Sequence, residues 1–325
     1  MGAELRVYRR RIRSVESTKK ITKAMELIAA SRIVRAQSRM NAARPYAREI
    51  QNALAQLGSD KTLQHPMLTG VEEPKRAGIL IITSDRGLAG GYNANVLRAS
   101  NELAERLRGE GKEIDRYVIG RKGVAYFRFR GIELAGSWTG FSEQPNFADA
   151  RDATDAVVAA VTATSGGEID HGEREGRPGI DELCVIYTRF VNSVTQTPTT
   201  SQVSPVKEAD EHDDGDDDGD RDDSADEDDD DSQPAQYEFE PEPARLLDAL
   251  LPRYISSRIF SALLESAASE SAARRRAMKS ASDNATDLIK TYTRLANQAR
   301  QAEITQEISE IVGGADALAS AGSEQ

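Results

Sequence analysis

Cysteine, aromatic residues and long apolar runs are all scarce in this sequence of 325 residues. Its one cysteine, Cys184, excludes an intrachain disulfide, as is usual in a reducing compartment. No uncharged apolar stretch reaches about 18 residues, so we expect no membrane-spanning helix. The arginines near the N-terminus have no apolar stretch behind them, so no secretory signal is expected. With aromatic residues at only 5%, the composition favours long helices with narrow seams of small residues.

Groupings of catalytic or metal-binding residues are also missing. The three histidines lie far apart in the sequence and show no paired ligand spacing. Cys184 stands among apolar residues and is interpreted as part of a core, not as a nucleophile. Residues 214–219 partly match a calcium-binding loop, but Ala225 stands where a bidentate glutamate is required. We therefore predict no catalytic residue, no metal site and no cofactor.

One glycine-rich segment, Gly87–Gly91, follows the apolar run Ala77–Thr83 and is similar to a phosphate-binding turn. Its spacing does not match G-x-G-x-x-G, and no Gly-Lys-Ser/Thr sequence closes a Walker motif. A structural turn is therefore the favoured interpretation. The alternative is a nucleotide-binding α/β protein, in which Gly90→Val would abolish binding of ATP or NAD.

Charge is distributed very unevenly around a net value of −12. Residues 207–235 contain seventeen Asp or Glu and two cations, a net of −15, which leaves +3 for the rest. Residues 1–57 contain thirteen cations and four acids, a net of +9. Because like charges repel and nothing in 207–236 can be buried, we expect a disordered acidic loop there. The basic first segment is either a solvated helix face or a surface for an acidic partner, and a protein partner is favoured over nucleic acid because no nucleic-acid motif accompanies the charges.

The two ends of the chain, residues 1–58 and 244–319, are predicted to be long helices. Gly and Pro are almost absent from the first, and Gly58 supplies a stop. In the second, small and apolar residues step alternately by four and three, the heptad pattern of a coiled coil. This predicted seam consists of Ala281, Ala285, Leu288, Tyr292, Leu295, Ala299 and Ala302. Pro252 suggests a kink or a late start of this helix, and Gly313–Gly314 suggest its end.

Between these helices, residues 77–206 alternate strand and helix patterns. Strands are predicted at Ala77–Thr83, Arg116–Ile119, Ile132–Trp138 and Leu183–Phe190, with an edge strand over Thr195–Val206. Helices are predicted at Asn93–Arg108, Lys122–Arg130 and Phe147–Thr164, and residues 165–179 are interpreted as an added loop. The predicted fold class is α/β, with a central Rossmann-like domain forming the foot of a long antiparallel coiled coil of the N- and C-terminal helices.

Three segments resemble one known family, in the same order and spacing. SVESTKKITKAMELIAASRIVR (Ser14–Arg35) is similar to the N-terminal signature of gamma subunits of F-type ATP synthases. SDRGLAGGYN (Ser84–Asn93) resembles the central motif of that family, including Ser84, Asp85, Arg86, Gly87, Gly90 and Gly91. Glu270–Leu318 resembles the C-terminal signature, so the likeness covers most of the chain. In this family the last helix tends to run on to the C-terminus.

The resemblance implies the central rotor shaft of a bacterial enzyme complex, a peripheral protein at the cytoplasmic face of the plasma membrane. The implied partners are alpha and beta subunits, which form the hexameric catalytic head, the epsilon subunit, and a membrane ring of c subunits. One copy of the shaft would transmit ring rotation to the catalytic sites on beta for ATP synthesis, or pump protons in reverse. It would catalyse nothing itself and would help to regulate ATPase activity and proton flow.

The same resemblance implies contacts with loops of the beta subunits. These are assigned to Lys23, Met25, Arg300, Gln301, Thr305 and Glu307. Arginine and glutamine suit such contacts because their donors bind carbonyls and carboxylates, although a solvated helix face is the alternative for each polar residue. Ala89 stands where many members have cysteine. A coiled-coil scaffold unrelated to ATP synthesis is the remaining alternative, and reconstitution with alpha and beta subunits distinguishes it.

Overall fold

The structure, a computed structural model, describes residues 3–58, 65–170, 174–206 and 243–322. Along the sequence, one very long helix precedes a strand-rich middle region and another follows it. The helices are α1 (Ala3–Gly58), α2 (Pro66–Thr69), α3 (Tyr92–Gly109), α4 (Arg121–Phe129), α5 (Phe147–Ala163) and α6 (Pro243–Gly322). The strands are β1 (Arg76–Ile82), β2 (Glu113–Ile119), β3 (Gly136–Trp138), β4 (Glu182–Phe190) and β5 (Gln196–Ser204).

In the described part of the chain, the strands form one five-stranded sheet in the order β3-β2-β1-β4-β5. The strands β3, β2, β1 and β4 run parallel, whereas β5 pairs antiparallel with β4 at the edge. Parallel strands need crossover connections, and α3, α4 and α5 provide them. This arrangement confirms the predicted α/β fold class.

Alternate side chains of the sheet enter two separate hydrophobic cores. On one face, Ile79 and Ile81 of β1 pack with α3 and α4. On the other face, Leu80 and Ile82 pack with α5 and with parts of both long helices. The period of two along a strand explains this division, since neighbouring side chains point to opposite faces. Both faces of the sheet are therefore covered, as is typical of parallel sheets.

The chain divides into two compact units. One, here called the coil unit, consists of Met1–Ser31 and Arg274–Gln325, and the other, the sheet unit, consists of Arg32–Ala273. The sheet unit includes parts of α1 and α6 because Leu54 of α1 and Leu251 of α6 lie in the same hydrophobic core. Sequence periodicity marks where a helix runs but not which core receives its apolar side chains.

In the coil unit, α1 and α6 pack against each other as an antiparallel pair. Thr22 Oγ1 and Ser282 Oγ share a hydrogen bond of 2.7 Å. The rings of Tyr8 and Tyr292 lie 6.5 Å apart, measured between centroids. Moving toward the N-terminus along α1 therefore corresponds to moving toward the C-terminus along α6. On α1, the buried and half-buried positions repeat with alternating steps of three and four: Leu5, Tyr8, Ile12, Val15, Lys19, Thr22, Glu26 and Ala29.

The seam on α6 differs from the predicted one. Its buried and half-buried positions include Met278, Ser282, Ala285, Ile289, Tyr292, Ala296 and Ala299. The predicted seam shares Ala285, Tyr292 and Ala299 with this set, and its members Ala281 and Leu295 are also half-buried, but Leu288 and Ala302 are exposed. The prediction was wrong at those positions because this alanine-rich helix is compatible with two heptad registers. The buried or half-buried Met278, Ser282 and Ile289 show which register the structure adopts.

The ends of α6 also correct the sequence analysis. Pro252 lies inside α6, which already begins at Pro243, so the late start suggested by this proline is wrong. The helix continues through Gly313 and Gly314 to Gly322, so the stop suggested by these glycines is wrong as well. The acidic segment 207–236 lies outside the described residues. No helix in the described ranges combines the length and apolar character that crossing a membrane requires.

Candidate functional site: the motif loop and the coil surface

The central motif, Ser84–Asn93, covers the turn after β1 and the first two residues of α3, and it is here called the motif loop. Its two ends are joined by hydrogen bonds: Ser84 N–H donates to Asn93 Oδ1 (2.9 Å), and Asn93 Nδ2 donates to Ser84 Oγ (2.8 Å). Ser84 Oγ also donates to the carbonyl of Arg86 at 2.6 Å. These bonds satisfy the polar groups of buried Ser84 within the protein.

Asp85 connects the motif loop to two other loops at the carboxyl ends of the parallel strands. Its carboxylate accepts hydrogen bonds from the backbone N–H groups of Arg121 (3.1 Å), Gly140 (2.8 Å) and Ser142 (3.0 Å). In return, Asp85 N–H donates to Ser142 Oγ at 2.8 Å. A carboxylate accepting several N–H bonds is a strong and directional link. Asp85 therefore holds the start of α4 and the segment after β3 against the motif loop.

Among the glycines of the motif, Gly90 is required by its backbone conformation, whereas Gly87 is not required by close packing. Gly90 has φ +57°, a region that favours glycine, and it lies at the surface. Its neighbour Leu88 also has positive φ (62°) and exposes its side chain. At Gly87, an added Cβ would lie 3.5 Å from Lys122 Cε, which is ordinary van der Waals contact. These features fit the interpretation of Gly87–Gly91 as a structural turn.

The motif loop also supports α6. Ala89 and Tyr92 are buried and form a small hydrophobic cluster with Ala273 of α6. Side chains at Ala89 and Ala273 are the smallest that still provide apolar contact, so the loop and the helix can approach closely. The motif loop thus contacts α6 through apolar side chains and contacts α4 and the β3–α5 segment through Asp85.

A charged cluster lies beside this loop. Glu143, in the β3–α5 segment, accepts a hydrogen bond from Arg32 Nη1 of α1. Arg86 Nη1, from the motif loop, lies 3.4 Å from the same carboxylate oxygen, Glu143 Oε2. Arg86 belongs to the motif that the sequence predicts, whereas Arg32 and Glu143 were not predicted in this role. No sequence signal joins them, because the two residues are 111 positions apart.

The residues proposed to contact beta loops lie on the coil unit, in two separate groups. Lys23 is exposed and pairs with Glu26 on its own helix (3.1 Å), while Met25 is half-buried. Gln301, with its exposed neighbours, lies 19 positions beyond Ser282, the residue opposite Thr22. This separation is roughly 28 Å along α6, so the structure does not bring the two groups together.

The second group consists of exposed side chains on one stretch of α6. Arg300, Gln301, Thr305 and Glu307 are all exposed. Thr305 Oγ1 donates to the carbonyl of Gln301 at 2.9 Å, a bond within the helix itself. Gln301 also ends a shallow open groove that runs along α6 from Ile289. These side chains are therefore available on the surface of the isolated chain.

Exposed apolar residues on the coil unit were not recognised from the sequence as a separate surface. On α1, Ile21, Leu27 and Ile28 are exposed. On α6, the exposed set is Leu288, Ile304, Ile308, Ile311 and Val312. Ile21 and Ile28 are spaced by one heptad but lie off the seam, and that offset is the signal that could have identified them. Ile304 lies 22 positions beyond Ser282, roughly 33 Å along α6, so these residues form separate apolar patches, each suited to contact with another protein.

Comparisons of this sequence with a family profile and with known protein sequences identify the same family. A family profile described as ATP synthase matches residues 4–318. The chain is 54% identical to the ATP synthase gamma chain of Frankia casuarinae, over 98% of this chain and 99% of that one. It is 53% identical to the ATP synthase gamma chain of Acidothermus cellulolyticus, over 100% of both.

A solved structure shows the same fold in a distant sequence. The chain resembles a chain in the rotor of the Euglena gracilis mitochondrial ATP synthase with a TM-score of 0.62. The match covers 94% of this chain and 100% of that chain, at 17% sequence identity. At this identity the likeness supports the fold alone, with its long paired helices and central sheet.

Proposed function

Because this chain belongs to the ATP synthase gamma chain family, we propose that it transmits rotation from a membrane ring of c subunits to catalytic sites on beta subunits. As a family member it is the central-stalk component of the complex and not itself catalytic. In the synthesis direction, proton flow would turn the ring and this chain together. In the reverse direction, ATP hydrolysis would turn the chain and pump protons.

The observation that carries this proposal is the antiparallel coil with apolar residues on its outer surface. Its seam is closed by buried residues such as Ala29, Met278 and Ala285, so the pair can act as one rod. The exposed Ile21, Ile28 and Ile308 remain available for partners. A single chain has no rotational symmetry, so three equivalent beta subunits arranged around it would each meet a different surface. That asymmetry would drive the three sites through different states.

We assign the head contacts to the two groups on the coil unit. Lys23 and Met25 would meet a beta loop part-way along the coil, and Arg300, Gln301, Thr305 and Glu307 would meet beta further along α6. Few aromatic side chains lie on this surface, so deep anchors that resist rotation are avoided. The net charge of +9 on residues 1–57 would attract acidic beta loops, and salt would screen this attraction.

The sheet unit would supply the contacts with epsilon and with the membrane ring, at the cytoplasmic face of the bacterial plasma membrane. Two segments are candidates for regulating hydrolysis: the 165–179 loop and the acidic segment 207–236. In the first, Arg174 Nη1 is 2.9 Å from Asp115 Oδ2, which ties the loop to β2. The loop is therefore attached to the sheet unit, where a contact with it could alter the rotor.

Reconstitution with alpha and beta subunits tests this function. The wild-type chain should confer rotary ATPase activity, and Gln301→Ala or Thr305→Ala should lower turnover about ten-fold while leaving unfolding almost unchanged. Thr286→Ala is the matched control, because Thr286 Oγ1 makes the same type of bond, to the carbonyl of Ser282 (2.9 Å). A wild-type chain that assembles but confers no activity would indicate a scaffold. If the variants lost turnover and stability equally, the assignment of Gln301 and Thr305 to contacts with beta subunits would be contradicted.

A further inference from the structure

Arg32, Arg86 and Glu143, here called the Glu143 clamp, join three elements that are distant in sequence. The side chain of Glu143 is only 13% exposed, and that of Arg32 is 24% exposed. Both guanidinium groups approach the same oxygen, Glu143 Oε2. Partial burial reduces screening by water, so these charges interact more strongly than an exposed pair would.

The clamp is continuous with the hydrogen bonds of Asp85. Glu143 directly follows Ser142, whose N–H and hydroxyl both bond to Asp85. Arg86 directly follows Asp85. The carboxylate of Glu143 is therefore held by its own loop and by the motif loop, while Arg32 projects to it from α1. A displacement of α1 relative to the sheet would have to stretch the bond from Arg32.

A second attachment of α1 to the sheet unit lies further along the same helix. Ile50, Leu54 and Leu57 belong to the core on the α5 face of the sheet. Arg32 precedes Ile50 by 18 positions, which corresponds to roughly 27 Å along the helix. Apolar packing is non-directional, whereas a charged hydrogen bond fixes the angle at which a helix presents its side chains. Ile33 and Ala36, beside Arg32, are buried as well, so the charged bond adds a fixed direction to apolar packing, and together they resist both sliding and twisting of α1.

We propose that Glu143 is a positioning residue through which torque passes between the five-stranded sheet and α1. This inference rests on the proposed rotor function. Under load, non-directional apolar contacts alone would allow α1 to turn about its own axis. The Glu143 clamp prevents this movement, so rotation of the sheet reaches the helix without loss. Neutralising Glu143 should therefore weaken coupling while leaving the chemistry of the head unchanged.

The test uses the complete complex in sealed vesicles, with Glu143→Gln in this chain. Two quantities are measured: protons pumped per ATP hydrolysed, and ATP hydrolysis by the detached head. We expect proton pumping per ATP to fall about five-fold and hydrolysis by the detached head to stay within about two-fold of wild type. Arg86→Gln, at a side chain 70% exposed, should give a smaller loss in the same direction and cannot be explained by misfolding.

Arg35→Gln is the matched control, because Arg35 is an exposed cation on the same helix, less than one turn beyond Arg32. It should pump like wild type. Combining Arg32→Gln with Glu143→Gln should add little to either single change, since both remove the same bond. Unchanged pumping per ATP in Glu143→Gln would overturn the inference, as would a loss of pumping fully matched by a loss of thermal stability. If the wild-type complex itself does not couple hydrolysis to pumping, the rotor function falls and this inference with it.

Discussion

Two buried or partly buried carboxylates, Asp85 and Asp181, hold the loops at opposite ends of the sheet. Asp85 acts at the carboxyl ends of the parallel strands, as described above. At the other end, Asp181 accepts hydrogen bonds from the backbone N–H groups of Lys75 (2.8 Å), Arg76 (3.0 Å) and Ser165 (2.8 Å). Each carboxylate replaces water as the partner of three donors, and its removal would leave those donors unsatisfied.

Asp181→Asn should destabilise the chain in a pH-dependent way. Burial opposes ionisation of Asp181, but the bonds from Ser165, Lys75 and Arg76 outweigh it and lower its pKa. The stabilisation is therefore complete above the pKa of the unfolded chain, about 4, and is lost as pH falls through the lower pKa of the folded chain. At pH 7 we expect Asp181→Asn to lower the free energy of unfolding by about 1–3 kcal/mol.

Urea unfolding of the full chain at about pH 7 and about pH 3 measures this effect. The difference between Asp181→Asn and wild type should shrink at the lower pH, because wild-type Asp181 is then increasingly protonated. Asp152→Asn, at an exposed position on α5, should change the free energy of unfolding very little. A difference that is equal at both pH values would show that the charge of Asp181 is unimportant.

At this scale the sequence identified residues but not their partners. Ser84, Asp85 and Gly90 were identified as members of a motif. The partners of Asp85 lie 36 to 57 positions away, at Arg121, Gly140 and Ser142. Spacing in sequence carries no information about such loop contacts, because they depend on the order of strands in the sheet.

The elements themselves were predictable wherever an apolar run or a helix stop was clear. The prediction Ala77–Thr83 differs from β1 (Arg76–Ile82) by one residue at each end. The prediction Ile132–Trp138 was too long, because only Gly136–Trp138 pairs with β2. Short edge strands depend on a neighbour for their hydrogen bonds, so their ends cannot be read from apolar pattern alone.

The register of the coil seam is the element-level feature that sequence periodicity left ambiguous. The Thr22–Ser282 hydrogen bond lies within the seam, and both residues are buried. A polar pair inside an apolar seam specifies the register of the two helices. If one helix were shifted along the other, the hydrogen bond between the two hydroxyl groups would be lost. Alanine at many positions makes the competing apolar registers similar in packing energy, so this polar pair contributes specificity.

Met278→Ala and Leu288→Ala distinguish the observed seam from the predicted one. Met278 is 3% exposed, so its truncation should lower the free energy of unfolding by about 2–4 kcal/mol. Leu288 is 46% exposed, so its truncation should cost less than about 1 kcal/mol in the isolated chain. Chemical denaturation of the two variants and wild type provides the comparison. A larger loss for Leu288→Ala would restore the register predicted from sequence.

For the whole molecule, the sequence showed that basic and acidic residues are concentrated in different segments. It did not show how the chain divides into the coil unit and the sheet unit. The sheet unit takes in Ile50 of α1 and Leu251 of α6 because both lie in the core on the α5 face. The 3.6-residue periodicity of apolar residues cannot show that one part of a helix packs in a coiled coil while another part packs against a sheet. Family resemblance supplied the function, because a non-catalytic chain has no site chemistry from which function could be inferred.

Deleting residues 209–233 tests whether the acidic segment is needed for the molecule as a whole. The deletion removes a net charge of −15 and changes the net charge of the chain from −12 to +3. Val206 and Leu246, on either side of the segment, pack against the same hydrophobic core. The eleven residues left between Val206 and Pro243 can span up to about 36 Å, which is ample for two ends attached to one core. We therefore expect the deleted chain to fold and to assemble with alpha and beta subunits.

A chain of unchanged length, with every Asp and Glu of 209–233 replaced by Asn and Gln, separates charge from length. Both variants should assemble as well as wild type, measured as the amount of this chain recovered with alpha and beta subunits. At low salt both should also associate faster with acidic partner surfaces, because long-range repulsion from the segment is gone. Loss of assembly in the deletion alone would mean that the segment's length is structural. Loss in both variants would mean that assembly requires its charge.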